Sequence, residues 1–302
     1  MFFNSPPPPP SKPTIVVWVH GTRSSEFMPS FISKLKKKTT TNNSNGLHKI
    51  ADMNGHPHAK NIMTILGHLD PHQFPLEHAY AFYWSGKLSD QARKSAAHQL
   101  VYALKKVVSL YQEQYSCTPR IIIISHSHGG NVVLNMPTVE DIDTTPLVIH
   151  KAIFLACPVQ TETMHHIRHT MFERVYSLHS HTDIFQIADM QGLKKTSNKS
   201  VPLFSERHFN HHPKLAQACI RWKNGPLYHP DDAYINEVVF KTITKSLNLV
   251  TKLKKNRGLF HVEFKLLPFI RQIPHIIAHL DGIIDTHNNC GSHKDMDIVI
   301  EL

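Results

Sequence analysis

The stretch Ile121-Ile122-Ile123-Ile124-Ser125-His126-Ser127-His128-Gly129-Gly130-Asn131-Val132-Val133 carries the residues best placed to do chemistry. Its isoleucines read as a buried strand, and the glycines followed by Asn131-Val132-Val133 read as a helix start. Where a strand breaks sharply into a helix, the apical residue is thrust out at the carboxyl edge of the sheet, and the residues two before and two after it must be small. Ser125 and Gly129 meet that requirement around Ser127. A hydroxyl presented there stands near the positive end of the helix, where peptide N–H groups stabilise an oxyanion. That arrangement suits acyl transfer, which needs two more groups: a base to take the serine proton, and a carboxylate to fix the tautomer of that base and stabilise its cation.

A second apolar strand, Thr14-Ile15-Val16-Val17-Trp18-Val19, ends at His20-Gly21-Thr22. With the strand and helix that flank Ser127, the chain resembles the α/β-hydrolase fold family of serine esterases and lipases, whose nucleophile elbow reads G-x-S-x-G. Ser125 stands where that family has its first glycine and keeps the position small. The resemblance implies a serine-dependent hydrolase of carboxylic esters, an esterase or lipase acting through an acyl-enzyme, with no cofactor. It puts the oxyanion donors at the peptide N–H groups of His128 and Thr22.

The chain order implied is serine, acid, histidine. Asp183 lies just beyond the strand Arg174 to Leu178, where the family carries its acid; Asp189 is the reserve, and a helix cap ahead of Ile184 is the plain structural role open to Asp183. Two histidines fit the base. His261 follows the turn Lys254 to Gly258 and resembles the H-x-E or H-x-D loop ahead of the final helix in bacterial relatives. His229 sits in the turn Pro226 to Asp231, after a candidate strand Ala218 to Trp222, and His275 also stays open.

The elements that must hold these residues are legible around them. His78 to Trp84, Leu147 to Ala156 and Arg174 to Leu178 read as further strands, and Ala96, Leu100, Ala103, Val107 and Tyr111 lie on one face of a helix capped by Ser89. Strands alternating with helices predict an α/β fold, a mostly parallel sheet covered on both faces, with ligands bound beyond the carboxyl ends of the strands. Residues 1–13 are a proline-rich tail and 14–302 one domain. Residues 201–232, with Phe204, Phe209, Trp222 and Tyr228 among prolines and histidines, are a candidate cap over the site. Glu237 to Leu249 scores as strand or helix, and Phe269 to Leu280 as a short closing helix with Pro274 in its first turns. Trp84 reads as a core residue.

Composition narrows the alternatives. A length of 302 residues can bury a sizeable core without disulfides or metals. No stretch approaches the roughly 18 apolar residues of a membrane span, and the first residues lack the pattern of a secretory signal, so the expectation is a cytoplasmic protein, or one exported by a route without a classical signal peptide. The formal charge of +10 favours acidic partners, an anionic membrane surface among them. The basic runs Lys34 to Lys38, Lys194 to Lys199 and Lys252 to Arg257 lack interleaved aromatics, which speaks against nucleic acid. With 25 histidines, the net charge would rise steeply near pH 6. His165 with His169, and Cys290 with His293, have ligand-like spacings but complete no metal site, and the four scattered cysteines read as free thiols. A hydrolase fold emptied of activity and used as a binding module is the alternative, against which the retention of Ser127, Asp183 and His261 speaks.

Overall fold

The β-branched runs at residues 14–19 and 120–126 point apolar side chains to both faces of one sheet, and the other strands are laid out on either side of them. The computed structural model of the chain describes residues 12–22, 45–53, 57–139, 146–181, 183, 208–223, 256–259, 261–287 and 296–301. Its strands are β1 (Thr14–Val19), β2 (Gly46–Lys49), β3 (Ala79–Tyr83), β4 (Arg120–His126), β5 (Ile149–Leu155), β6 (Phe172–His179), β7 (Leu215–Lys223), β8 (Asn256–Gly258) and β9 (Met296–Glu301). The helices are α1 (Pro57–Leu69), α2 (Asp90–Tyr115), α3 (Gly129–Leu134), α4 (Leu267–Ile270) and α5 (Ile273–His287).

One sheet runs in the order β2-β3-β1-β4-β5-β6-β7-β8, with β9 paired to β7. All its pairings are parallel except β2 with β3 and β8 with β7. From β1 the chain builds outward to β3 on one side, then returns to place β4 on the other. The order therefore reverses between β1 and β4, and the carboxyl ends of the strands at such a reversal are the usual place for a ligand.

The far end of the sheet has a less ordinary arrangement. Ala218 and Cys219 of β7 are paired with β6 and with β9 at once, so those strands flank β7 on opposite sides. Arg221, Trp222 and Lys223 are paired with β9 and with β8, so β8 occupies the β6 side, end to end with β6. Running antiparallel to β7, β8 carries the chain back toward the carboxyl end of β6.

Alternate strand residues feed two cores. Trp18, Ile122, Ile124, Ile153, Leu178 and Ile220 pack with Ile62, Met63 and Leu66 of α1 and with Phe269, Ile277 and Leu280 of α4 and α5. Val17, Val19, Ile121, Ile123 and Phe154 pack on the other face with Ala97, Leu100 and Leu104 of α2 and with Val132 and Val133 of α3. The Ser89 hydroxyl caps α2 by accepting from the Ala92 N–H at 3.0 Å. Asp281 of α5 takes Lys151 at 2.5 Å and Arg174 at 2.8 Å, tying that helix to β5 and β6. Among the described residues no helix is long and apolar enough to cross a membrane.

Several expectations need correction. Phe209 and Trp222 form no cover: Trp222 is the buried end of β7, and Phe209 is buried against Phe154 at 5.9 Å. The rest of the candidate cap, Phe204 and Tyr228 included, lies outside the described residues, as does Glu237 to Leu249. The expected turn at Lys254 to Gly258 ends in β8. The closing helix runs over Ile273–His287, with Pro274 in its first turn as expected. Edge strand β2 and helix α1 occupy a stretch left without an element on sequence; β2 is four residues long and lacks an apolar face, whereas Ala59, Ile62, Met63 and Leu66 do mark α1 at helical spacing.

Candidate active site

Ser127 sits at the break between β4 and α3 with φ of +56°, a left-handed conformation that costs a non-glycine residue roughly 1–2 kcal/mol. The surroundings over-determine it. Its N–H donates to the Leu155 carbonyl at 2.9 Å and its carbonyl accepts from the Gly130 N–H at 2.9 Å. Ser125, in the position of the elbow's first small residue, is fully buried, with its hydroxyl donating to the Ile153 carbonyl at 3.4 Å. Helix α3 spans only six residues, so its dipole is short and any oxyanion stabilisation rests on individual peptide N–H groups.

The loop after β1 is pressed against this turn. A Cβ built on Gly21 would lie 2.7 Å from the Ser127 Cβ and 2.8 Å from the His126 carbonyl oxygen, so no side chain fits there. The backbone of His20 is set by Trp84: the indole Nε1–H donates to the His20 carbonyl at 2.8 Å, and the Trp84 peptide N–H donates to His20 Nε2 at 3.1 Å. His20 Nδ1–H completes the clamp by donating to the Gly21 carbonyl at 2.6 Å, and the two rings stack at 5.8 Å. Trp84 is a core residue, as expected, that also fixes the loop leading to Thr22.

Behind the elbow, Asn131 Nδ2–H donates to the Pro158 carbonyl at 2.9 Å, and Thr163 Oγ1–H donates to Asn131 Oδ1 at 3.1 Å. Asn131 Nδ2 also meets His128 Nδ1 at 3.3 Å, which orients the buried His128 ring.

Of the candidate bases and acids, the structure brings His261 and Asp183 to Ser127. His261 opens a 3-10 turn, His261–Lys265, three residues after β8, and its Nε2 is 2.7 Å from Ser127 Oγ. Its Nδ1 lies 2.8 Å from Asp183 Oδ2. A carboxylate can only accept, so Nδ1 carries the proton and Nε2 is left to accept from the serine hydroxyl. Asp183 is completely buried four residues beyond the end of β6. His275 is exposed on α5, whereas His229 and Asp189 lie outside the described residues.

His126, the residue between the two serines of the elbow, was not singled out on sequence. Its Nε2 donates to the His261 carbonyl at 3.0 Å, and the two rings lie 4.8 Å apart. Burial, then the neighbouring charges of His261 and Lys265, hold it well below the usual histidine range. His58 of α1, a partly buried histidine, is lowered to about 4 by burial and by Lys265. These rings stay uncharged near pH 6, so the charge rise expected from composition is smaller than the histidine count implies.

Among the described residues no group of three His, Cys, Asp or Glu is arranged to hold a metal ion. His165 lies in a 3-10 turn and His169 in extended backbone beyond it, so they do not share a helical face. Cys290 and His293 fall outside the described residues. Cys117, Cys157 and Cys219 are free thiols.

A family model described as PGAP1-like alpha/beta domain matches residues 16–201, a span that includes the His20-Gly21-Thr22 loop, the Ser127 elbow and Asp183 and ends before His261. No curated protein matches the chain.

Proposed function

The chain belongs to the PGAP1-like alpha/beta domain family, a hydrolase-fold family, and from that premise we propose that it is a serine-dependent hydrolase of carboxylic esters. The observation that carries this reading is the unbroken path from Ser127 Oγ through both nitrogens of His261 to a buried carboxylate, at 2.7 and 2.8 Å. Such a path lets a hydroxyl lose its proton as it attacks, because the imidazolium that forms is paired with Asp183 at once.

In the proposed reaction His261 Nε2 takes the Ser127 proton while Oγ bonds to the ester carbonyl carbon. The negative charge that moves to the carbonyl oxygen is met by the peptide N–H groups of His128 and Thr22. As the tetrahedral species collapses, the carbon–oxygen bond to the alcohol breaks and Nε2 returns its proton to that alcohol. Water then attacks the acyl-enzyme, giving a proton to Nε2; the carboxylic acid leaves and Ser127 recovers its hydrogen. The residues supply every proton transfer the cycle needs. A lipid ester presented at an anionic surface is a substrate form that suits the formal charge of +10.

The test is covalent. The protein is treated with a fluorophosphonate probe and, separately, with p-nitrophenyl esters of graded chain length. Labelling and turnover are expected in the wild type and absent in Ser127→Ala. A wild type that takes no probe and cleaves no ester would leave a hydrolase fold used for binding.

A further inference from the structure

Two bonds fix the imidazole of His261, but both use its ring; neither holds its backbone. The loop that carries it comes from the far end of the sheet, and the residue next to Ser127 gives it a hydrogen bond to the nucleophile strand. His126 Nε2–H donates to the His261 carbonyl at 3.0 Å, a contact between residues 135 apart in sequence. The other edge of the same ring faces the oxyanion loop, since a Cβ on Gly21 would lie 3.2 Å from His126 Nδ1. His126 thus touches the base loop and the loop leading to Thr22 while adjoining the nucleophile in sequence.

We propose that His126 is a positioning residue of this site, whose Nε2–H sets the distance between the backbone of His261 and the strand that presents Ser127. The inference rests on the ester-hydrolase reading above. With the ring of His261 held by Asp183 and its carbonyl held by His126, the position of Nε2 relative to Ser127 Oγ is determined from two sides. Losing one support lets the base swing, and displacements of about 1 Å at a reacting pair cost on the order of 100-fold in rate.

The charge state of His126 matters as much as its bond. A cation 4.8 Å from the His261 ring would oppose the imidazolium that forms in each step. The neighbouring groups that disfavour a charge on His126 are basic, His261 and Lys265 on the 3-10 turn and His58 on α1; Glu263 lies buried on that same turn, and Asp183 is bonded to His261. Together with burial the basic groups keep His126 uncharged, so it donates a hydrogen bond without adding a positive charge.

The test compares His126→Gln, whose side-chain amide nitrogen falls near the position of Nε2, with His126→Leu, which fills the space without a donor. Readouts are kcat and KM on a p-nitrophenyl ester, the rate constant of fluorophosphonate labelling, and Tm. His126→Leu is expected to lose about 10- to 100-fold in kcat and in labelling rate with KM little changed, and His126→Gln to recover most of that loss. If His126→Leu does not fold, His126→Asn, too short to reach the His261 carbonyl, is expected to be as slow. A wild-type labelling rate in His126→Leu or His126→Asn, or a His126→Gln no faster than the variants lacking the bond, would overturn the role. A wild type inert to both probe and ester would instead overturn the hydrolase reading, and this role with it.

Discussion

Gly129 and His20 approach so closely that a Cβ added to Gly129 would lie 2.6 Å from the His20 carbonyl oxygen and 2.7 Å from that of Val19. Both obstacles are backbone atoms of a strand end that Trp84 already holds, so neither can yield cheaply. Gly129→Ala is therefore expected to destabilise the fold by about 1–3 kcal/mol and to slow fluorophosphonate labelling, because relief must come from separating the elbow from the oxyanion loop. Urea denaturation measures the first effect. A variant as stable and as reactive as wild type would contradict the packing described.

The Trp84 indole gives a gentler way to disturb the same loop. Trp84→Phe keeps an aromatic ring in the core but removes the donor to the His20 carbonyl, a hydrogen bond worth roughly 1 kcal/mol. The expected result is a fall in kcat of about tenfold with little change in KM. Loss of KM alone would mean that Trp84 touches substrate rather than the loop.

Asp183 has its own signature. Asp183→Asn offers a side-chain N–H as well as a carbonyl, so the amide can donate to Nδ1 and drive the proton onto Nε2, the nitrogen that must accept from Ser127. A loss in kcat on the order of 10⁴-fold is expected from that change of tautomer. Combining Asp183→Asn with His261→Ala should cost little more than His261→Ala alone, since the pair acts as one unit. Additive losses would show that Asp183 works independently of His261.

Acid should loosen the fold through the histidines whose surroundings disfavour a charge. His58 falls from an ordinary 6.5 in the unfolded chain to about 4 in the folded protein. Between those values the unfolded chain binds a proton that the folded one refuses, so stability is lost as pH falls from 6.5 toward 4, by roughly 3 kcal/mol for this residue across the window. His126 adds to the same trend. Denaturant titrations at pH 7 and pH 4.5 should show His58→Phe, whose ring can keep the edge contact with Trp18, losing less stability on acidification than wild type. Equal losses would show that His58 takes its proton in the folded state.

The elbow was legible because its signal is local: apolar strand, small residues at the two flanking positions, helix. Asp183 was reachable from the end of an apolar strand. The base was not separable by sequence, because the choice between His261 and His229 depends on the pairing of Arg221 with Gly258, a register that no spacing reveals. His126 was missed for a related reason, since alternation along β4 says which residues are buried but not whose carbonyl a ring will reach. Trp222 carried two readings, the end of a candidate strand from Ala218 and part of a cover; the strand is the one β7 realises, and the period-two recurrence of Ala216, Ala218, Ile220 and Trp222 on one core face is the signal that separates them.

The end-to-end placement of β6 and β8 against β7 has a consequence for where the base arrives. The segment between Lys223 and Asn256 leaves from β7 and returns to pair with β7, so both of its ends are stitched to one strand. The register of Arg221 with Gly258 therefore sets the point from which His261 is delivered, three residues further on. A slip of that pairing by a single residue would carry His261 along the sheet edge by about 3.3 Å, more than the whole length of its bond to Ser127. Which carbonyl meets which amide on a three-residue strand thus governs whether the two side chains can meet at all.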